Sequence, residues 1–210
     1  MGNKLILIGG GGHCRSVLDC VLSYQQYDKI GIIDQGNVSV PGADVVGTDE
    51  DLPLLFSQGW TDAIITIGSI GNTEIRRRIY RHIKGIGFSL PVIIDPTASI
   101  ARNVEIDEGT FVGKKAVVNS GSYIGCCTII NTGAIVEHDC KIGEFSHISS
   151  GVILCGNVNI GDDCHIGAGT TIRQQISIGN NTLIGIGSVV VKNIPDKMMA
   201  YGNPCKVVNK

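Results

Sequence analysis

The sequence predicts an open α/β unit over residues 1–90 followed by an all-β parallel solenoid over residues 91–210. Three observations carry that division. Up to about residue 90, short apolar runs alternate with stretches of helical periodicity. Beyond Pro91 an aliphatic residue returns at every sixth position. The 29 glycines and only 5% aromatic residues suit tight turns and small-residue packing better than a core of large side chains. With 43% hydrophobic residues, the 210-residue chain can supply both units with cores.

KLILIG, from Lys4, reads as a strand, and Val17, Leu18, Val21 and Leu22 give Ser16 to Tyr24 the spacing of a helix. KIGIID, ending at Asp34, is a second strand. In TDEDLPLLF, Thr48 or Asp49 caps a helix that carries Pro53 early in its first turn. DAIITIG is a third strand, and Asn72 caps NTEIRRRIYRHIKGIG, which Gly85 and Gly87 end. Arg76, Arg77 and Arg78 belong on a solvated face of that helix. Strand, helix, strand, helix, strand, helix signals a small parallel sheet, a Rossmann-like half-unit.

From Ile94 to Val190 seventeen consecutive sixth residues are aliphatic, without an insertion. Four residues after each comes a second series, Ala98 to Ile194, whose members are small or β-branched. A fixed hexad of this kind makes each hexad one short side of a solenoid, with three hexads to a coil and the aliphatic residues pointing into the corners of a triangular prism. Glycines such as Gly125 and Gly143 follow the aliphatic position, where the chain is expected to turn sharply. Cys140 and Cys164 fall in the inward small series and read as core. Residues eighteen apart stack directly, with coils about 4.8 Å apart.

The stretch GGGGHCRSVLDC opens the first helix. Its dinucleotide fingerprint is incomplete, because Cys14 stands where the third glycine belongs. The amides of Gly9 to Gly12 still approach the N-terminus of a helix, where a diphosphate binds. A mononucleotide carrying a sugar is the ligand this loop suits. Asp34, at the end of the second strand, is placed for a ribose hydroxyl or a uracil edge.

Three histidines lie on the prism. His147 and His165 are eighteen apart and stack, whereas His138 is nine residues before His147, half a coil away. Half a coil is the wrong side of one prism for cooperation. In a homotrimer of prisms two different edges face each other, so His138 of one chain and His147 of another share a site. Acyl transfer from a thioester requires removal of one proton near neutral pH, which suits an imidazole such as that of His138. Glu137 beside it supports the imidazolium or fixes the tautomer.

The hexad pattern resembles the left-handed parallel β-helix of hexapeptide-repeat acyltransferases. The segment INTGAIVEHDCKIGEFSHISSGVILCGNVNIG from Ile130, with GGGGH and the tail AYGNPCKVV, is similar to bacterial sugar acetyltransferases of the sialic-acid O-acetyltransferase and bacillosamine N-acetyltransferase type. The resemblance implies His138 as general base and Glu137 as the acid beside it. It also implies Asn131 and His147 as polar contacts of the substrate, and the Gly156 amide facing the thioester carbonyl. Gly9, Gly11, Gly12, His13 and Asp34 correspond to the sugar-nucleotide site. Acetyl-CoA is the implied co-substrate, lying in the groove between prisms, with Lys192 and Lys206 near the last coil and tail to meet its phosphates. Cys205, where the tail motif has alanine, and Cys14 depart from the family pattern without touching the chemistry. The implied activity is N-acetylation of a UDP-linked amino-deoxy sugar in surface-glycan or protein-glycosylation biosynthesis. The alternative is O-acetylation of sialic acid or a related sugar.

Other classes fit poorly. A net charge of −2 and no basic run beyond Arg76 to Arg78 argue against nucleic acid. The apolar run at the N-terminus is too short for membrane insertion or a signal segment, so a cytoplasmic enzyme with reduced thiols is expected. A zinc site of three histidines on such a prism would want a pair about five residues apart. The gaps here are nine and eighteen, and no metal is expected.

Overall fold

The computed structural model describes residues 3–36 and 38–208. Its N-terminal part is a parallel sheet of β1 (Lys4–Ile8), β2 (Lys29–Ile33), β3 (Asp44–Gly47) and β4 (Asp62–Ile65), in the order β3-β2-β1-β4. The helices are α1 (Gly12–Tyr24), α2 (Leu52–Ser57) and α3 (Glu74–Ile86). β1 is central and buried at Leu5, Ile6, Leu7 and Ile8, which is why its sequence is a continuous apolar run. β3 was not expected: it is a sheet edge whose residues are all exposed or half-buried, so it lacks a strand's apolar signature. α1 starts at Gly12, ahead of the apolar periodicity, with Gly11 as an N-cap that supplies no side-chain bond. α3 ends where Gly87, at φ 115°, donates its N–H to the Ile83 and Lys84 carbonyls.

From Ile93 the chain winds into a prism of two-residue strands, and every aliphatic residue of the hexad series, Ile94 through Val190, is the second residue of one of them. Strands eighteen residues apart pair in parallel, Ile129 with His147 and His147 with His165, for example. With the tail strands Met199–Tyr201 and antiparallel Lys206–Val208 added to the first, the three faces hold 8, 6 and 5 strands. The first face includes Phe111–Val112, Ile129–Ile130, His147–Ile148 and His165–Ile166; the second includes Val117–Val118, Ile135–Val136 and Ile153–Leu154; the third includes Tyr123–Ile124, Lys141–Ile142 and Asn159–Ile160. The aliphatic residues therefore end flat strands, and the corners are made by the residues after them, many of which hold the left-handed conformation, as Asp139 does at φ 59°.

The small inward series has a polar task. Thr128 Oγ1 donates to the Gly143 carbonyl at 2.8 Å and Ser146 Oγ to the Gly161 carbonyl at 2.8 Å, a step of 15 residues in each case. Buried hydroxyls thereby satisfy corner carbonyls that the ladder leaves open. Gly143 is required by close approach rather than by its φ, since a Cβ there would lie 2.6 Å from the Gly161 carbonyl carbon.

The α/β unit rests on the first face, where Phe111 and Ile129 share a core with Leu5, Leu7 and Val17. Arg76 is buried and enters this junction, donating from Nη1 to the Phe145 carbonyl at 3.1 Å and from Nη2 to the Cys127 carbonyl. Arg77 grips Asp163 with two bonds of 2.7 and 2.9 Å. Only Arg78 of the three remains on an exposed face, because the prism presents carbonyls and a carboxylate to the other two. Among the described residues no helix is long and apolar enough to cross a membrane.

Candidate active site

β1 connects through α1 to β2 on one side and pairs with β4 on the other, so the sheet has its switch point between β1 and β4. A crevice at the carboxyl ends of those two strands is the expected ligand site of such a sheet. Its walls are the glycine loop after β1 and residues 66–71 after β4. Gly9, at φ 102°, lies so close to Ile67 that a Cβ would meet Cγ1 at 2.4 Å, and Thr66 Oγ1 donates to the Gly9 carbonyl at 2.6 Å. Gly11 and Gly12 are open: a Cβ on either would meet nothing within 4 Å. The 13-residue helix thus begins without a side-chain cap and beside open space at Gly11 and Gly12.

Asp34 lies in the same crevice with a main-chain task. Its Oδ2 accepts from the Gly10 amide at 2.7 Å and its Oδ1 from the Gly36 amide at 2.8 Å. The carboxylate braces two loops, and each oxygen retains a lone pair for a ligand.

His13 descends from the first turn of α1 to the prism, where it meets Phe111 edge-on at 5.3 Å. Burial, then His147 and Arg76, push its pKa down to about 3. His147 and His165 stack edge-on at 5.0 Å. Burial, followed by the His165 charge, pushes His147 down to about 4, with the Ser69 carbonyl opposing. His147 Nε2 is 3.2 Å from Asn131 Nδ2, and its Nδ1 is 3.5 Å from the Ser69 carbonyl oxygen. The structure thus brings His13, Asn131 and His147 together with His165, stacked on His147 as the spacing predicts, and with Ser69, which sequence reasoning did not place there. His165 had a signal in its eighteen-residue spacing from His147; Ser69 had none.

The junction carries a pH dependence. Folded His13 and His147 titrate below the unfolded value near 6.5. Unfolding therefore takes up protons below that pH, so stability falls as the pH falls through the window from about 6.5 toward the folded values. Between about pH 7 and pH 5 we expect a loss on the order of 2 kcal/mol for each histidine. Urea midpoints followed at Trp60 check this; a midpoint flat across that range contradicts it.

His138 stands on the opposite side of the prism, at the corner between the second and third faces. It is exposed, and its Nδ1 lies 2.8 Å from Asp139 Oδ2. The Nδ1–H donates to that carboxylate, which leaves the lone pair on Nε2. The carboxylate bonded to His138 is that of Asp139; Glu137 is held through its main chain, its N–H bonding the Leu154 carbonyl and its own carbonyl accepting from Ser122 Oγ.

Gly156 lies one coil beyond His138, so close that a Cβ would meet His138 Nε2 at 2.5 Å. Among the described residues its N–H has no acceptor. Gln174 continues the corner column by an eighteen-residue step, and Lys192 lies in the last corner, which is two residues short because Ile194 bridges Ile178; that corner is about 14 Å along the prism from His138. Lys206 lies instead in a strand, Lys206–Val208, at the end of the first face.

Comparison with known proteins adds to this geometry. Residues 4–83 match the family model described as the PglD N-terminal domain, and residues 141–174 match that of the bacterial transferase hexapeptide. A histidine-to-asparagine variant of the perosamine N-acetyltransferase from Caulobacter crescentus, in complex with CoA and GDP-perosamine, is similar over 99% of this chain and 98% of its own, at 33% identity and a TM-score of 0.94. The acetyltransferase domain of PglB from Neisseria gonorrhoeae, in complex with acetyl coenzyme A, is similar over 99% of this chain and 100% of its own, at 38% identity and a TM-score of 0.92. WeeI from Acinetobacter baumannii shares the fold at 24% identity and a TM-score of 0.86.

Proposed function

This chain belongs to the hexapeptide-repeat sugar acetyltransferases with a PglD-type N-terminal domain, and we propose that it transfers the acetyl group of acetyl-CoA to the amino group of a nucleotide-linked amino-deoxy sugar. We assign the acceptor as a UDP-linked sugar in glycan biosynthesis and the enzyme to the cytoplasm. The carrying observation is the full-length likeness to sugar N-acetyltransferases bound to CoA and a nucleotide sugar. The open helix N-terminus at Gly11 and Gly12 supports the nucleotide part of that reading.

In the proposed mechanism the neutral amine attacks the thioester carbon directly. His138 Nε2 takes the amine proton, and Asp139 stabilises the imidazolium through Nδ1–H. The Gly156 N–H donates to the carbonyl oxygen as negative charge develops on it. The imidazolium then returns a proton to the departing CoA sulfur. Lys192, in the last corner of that column, is placed for the CoA phosphates; Lys206 needs a neighbouring copy to reach them.

A homotrimer completes this site. Outward residues of the second face are mostly apolar, as at Val117, Ile135, Ile153 and Val189, whereas those of the third face are Glu105, Tyr123, Lys141, Asn159 and Ser177. The apolar face belongs at a three-fold axis parallel to the prism. Each copy's His138 corner then abuts the opposite edge of a neighbour's second face, where Asn131, Thr132 and the crevice lie at the same height. His138 of one copy thereby serves a sugar nucleotide held by another.

The direct test incubates the protein with acetyl-CoA, UDP- and GDP-linked amino sugars, and free sialic acids, with products read by mass spectrometry. An N-acetylated nucleotide sugar is expected. Transfer only to a hydroxyl of an unactivated sugar would replace this reading with O-acetylation.

A further inference from the structure

The tautomer of His147 follows from its neighbours. The Thr132 amide donates to Asn131 Oδ1 at 2.7 Å, which fixes the side-chain amide and turns Nδ2 toward the ring. Nδ2 lies 3.2 Å from His147 Nε2. An NH2 group only donates, so Nε2 holds the lone pair and the proton sits on Nδ1. Nδ1 faces the Ser69 carbonyl oxygen at 3.5 Å, a long contact to a group that only accepts. Donors therefore run one way, from the prism corner at Thr132 through Asn131 and His147 to the loop after β4.

We propose that Asn131 and His147 are positioning residues that anchor the Ser69 segment to the prism and so hold one wall of the crevice in its ligand-binding shape. The inference rests on the crevice being the nucleotide site. Gly68 and Gly71 flank this segment, and Gly71 is left-handed at φ 71°, so the loop's own conformational preference is weak. Neither ring nitrogen of His147 is free to take a proton from substrate, since one lone pair is occupied and the other nitrogen is protonated. The groups facing the ring favour its neutral form: His165 from the next coil, His13 from α1 and Arg76 from α3. In this reading His147 and Asn131 shape the pocket through the loop they hold.

Asn131→Asp tests the donor chain by exchanging a donor for an acceptor. At high pH the neutral ring must then place its proton on Nε2, and Nδ1 turns a lone pair toward the Ser69 carbonyl. At low pH the imidazolium donates to both partners. The new carboxylate lifts the ring from about 4 into the range of roughly 5 to 7, so the anchor is lost at about pH 8 and restored at about pH 5. Hydrogen exchange of residues 66–71, corrected for intrinsic rates, should be roughly 10-fold faster than wild type in Asn131→Asp at the higher pH and equal to it at the lower, since one hydrogen bond is at stake. His147→Phe, which keeps a ring but no donor, should exchange fast at both. Nitrogen-15 spectra of the wild-type ring should show the Nδ1–H tautomer. UDP and GDP affinity, titrated at both pH values, should follow the exchange pattern. A pH-independent effect of Asn131→Asp, wild-type exchange in His147→Phe, or an Nε2–H ring would each overturn the proposal. If wild type binds neither nucleotide, the nucleotide reading fails on its own, and the exchange and tautomer data still decide the anchor.

Discussion

Replacing His138 with alanine is expected to lower turnover roughly 10²- to 10⁴-fold, the range that a positioned general base contributes. Acetyl-CoA affinity should change little, because the side chain presents only its Nε2 to the reacting amine and lies exposed at a corner the fold does not need. Calorimetric titration of the variant with CoA separates the two quantities. Equal loss of CoA affinity would make His138 a binding residue, and the proton would need another acceptor. Asp139 acts through His138, so its removal should cost less than removal of the ring itself.

Gly11→Val is expected to raise the KM for a nucleotide-linked acceptor roughly 10-fold or more, since it fills the space where helix amides meet a diphosphate. The fold should tolerate the change: a Cβ at Gly11 meets nothing within 4 Å, and its φ of −76° is ordinary for valine. CoA affinity and assembly should be unaffected, because in the proposed site the substituted loop meets the nucleotide diphosphate and not the thioester. An unchanged KM for every nucleotide-linked acceptor would remove the nucleotide from this loop. The sugar would then have to be recognised without its diphosphate.

The prism was legible almost residue by residue, because each hexad repeats one local rule and errors would have broken the register. Ile94 to Val190 landed as the inward residue of successive strands for that reason. In the N-terminal unit the buried strands were legible and the edge strand Asp44–Gly47 was not, since a half-exposed edge needs no apolar run. Arg76 was misplaced on a solvated face because a charge is exposed by default. Only the carbonyls of Cys127 and Phe145, distant in sequence, make its burial tolerable. The Asp139 contact with His138 had no signal in the sequence, because adjacency cannot tell which carboxylate folds back onto the ring. The contact of His147 with Ser69 depends on how the two units pack, which no spacing within either unit encodes.

Mixed trimers distinguish a His138 that acts on a sugar nucleotide bound to a neighbouring copy from one that acts within its own chain. His138→Ala and Gly11→Val chains, each nearly inactive at limiting acceptor, would be unfolded together, refolded at equal amounts and assayed. If the site lies between copies, random assembly pairs an intact corner with an intact crevice at about one quarter of sites, and the mixture should recover about that fraction of wild-type activity. If both halves of the site come from one chain, every site carries a defect, and the mixture would remain as inactive as its parents.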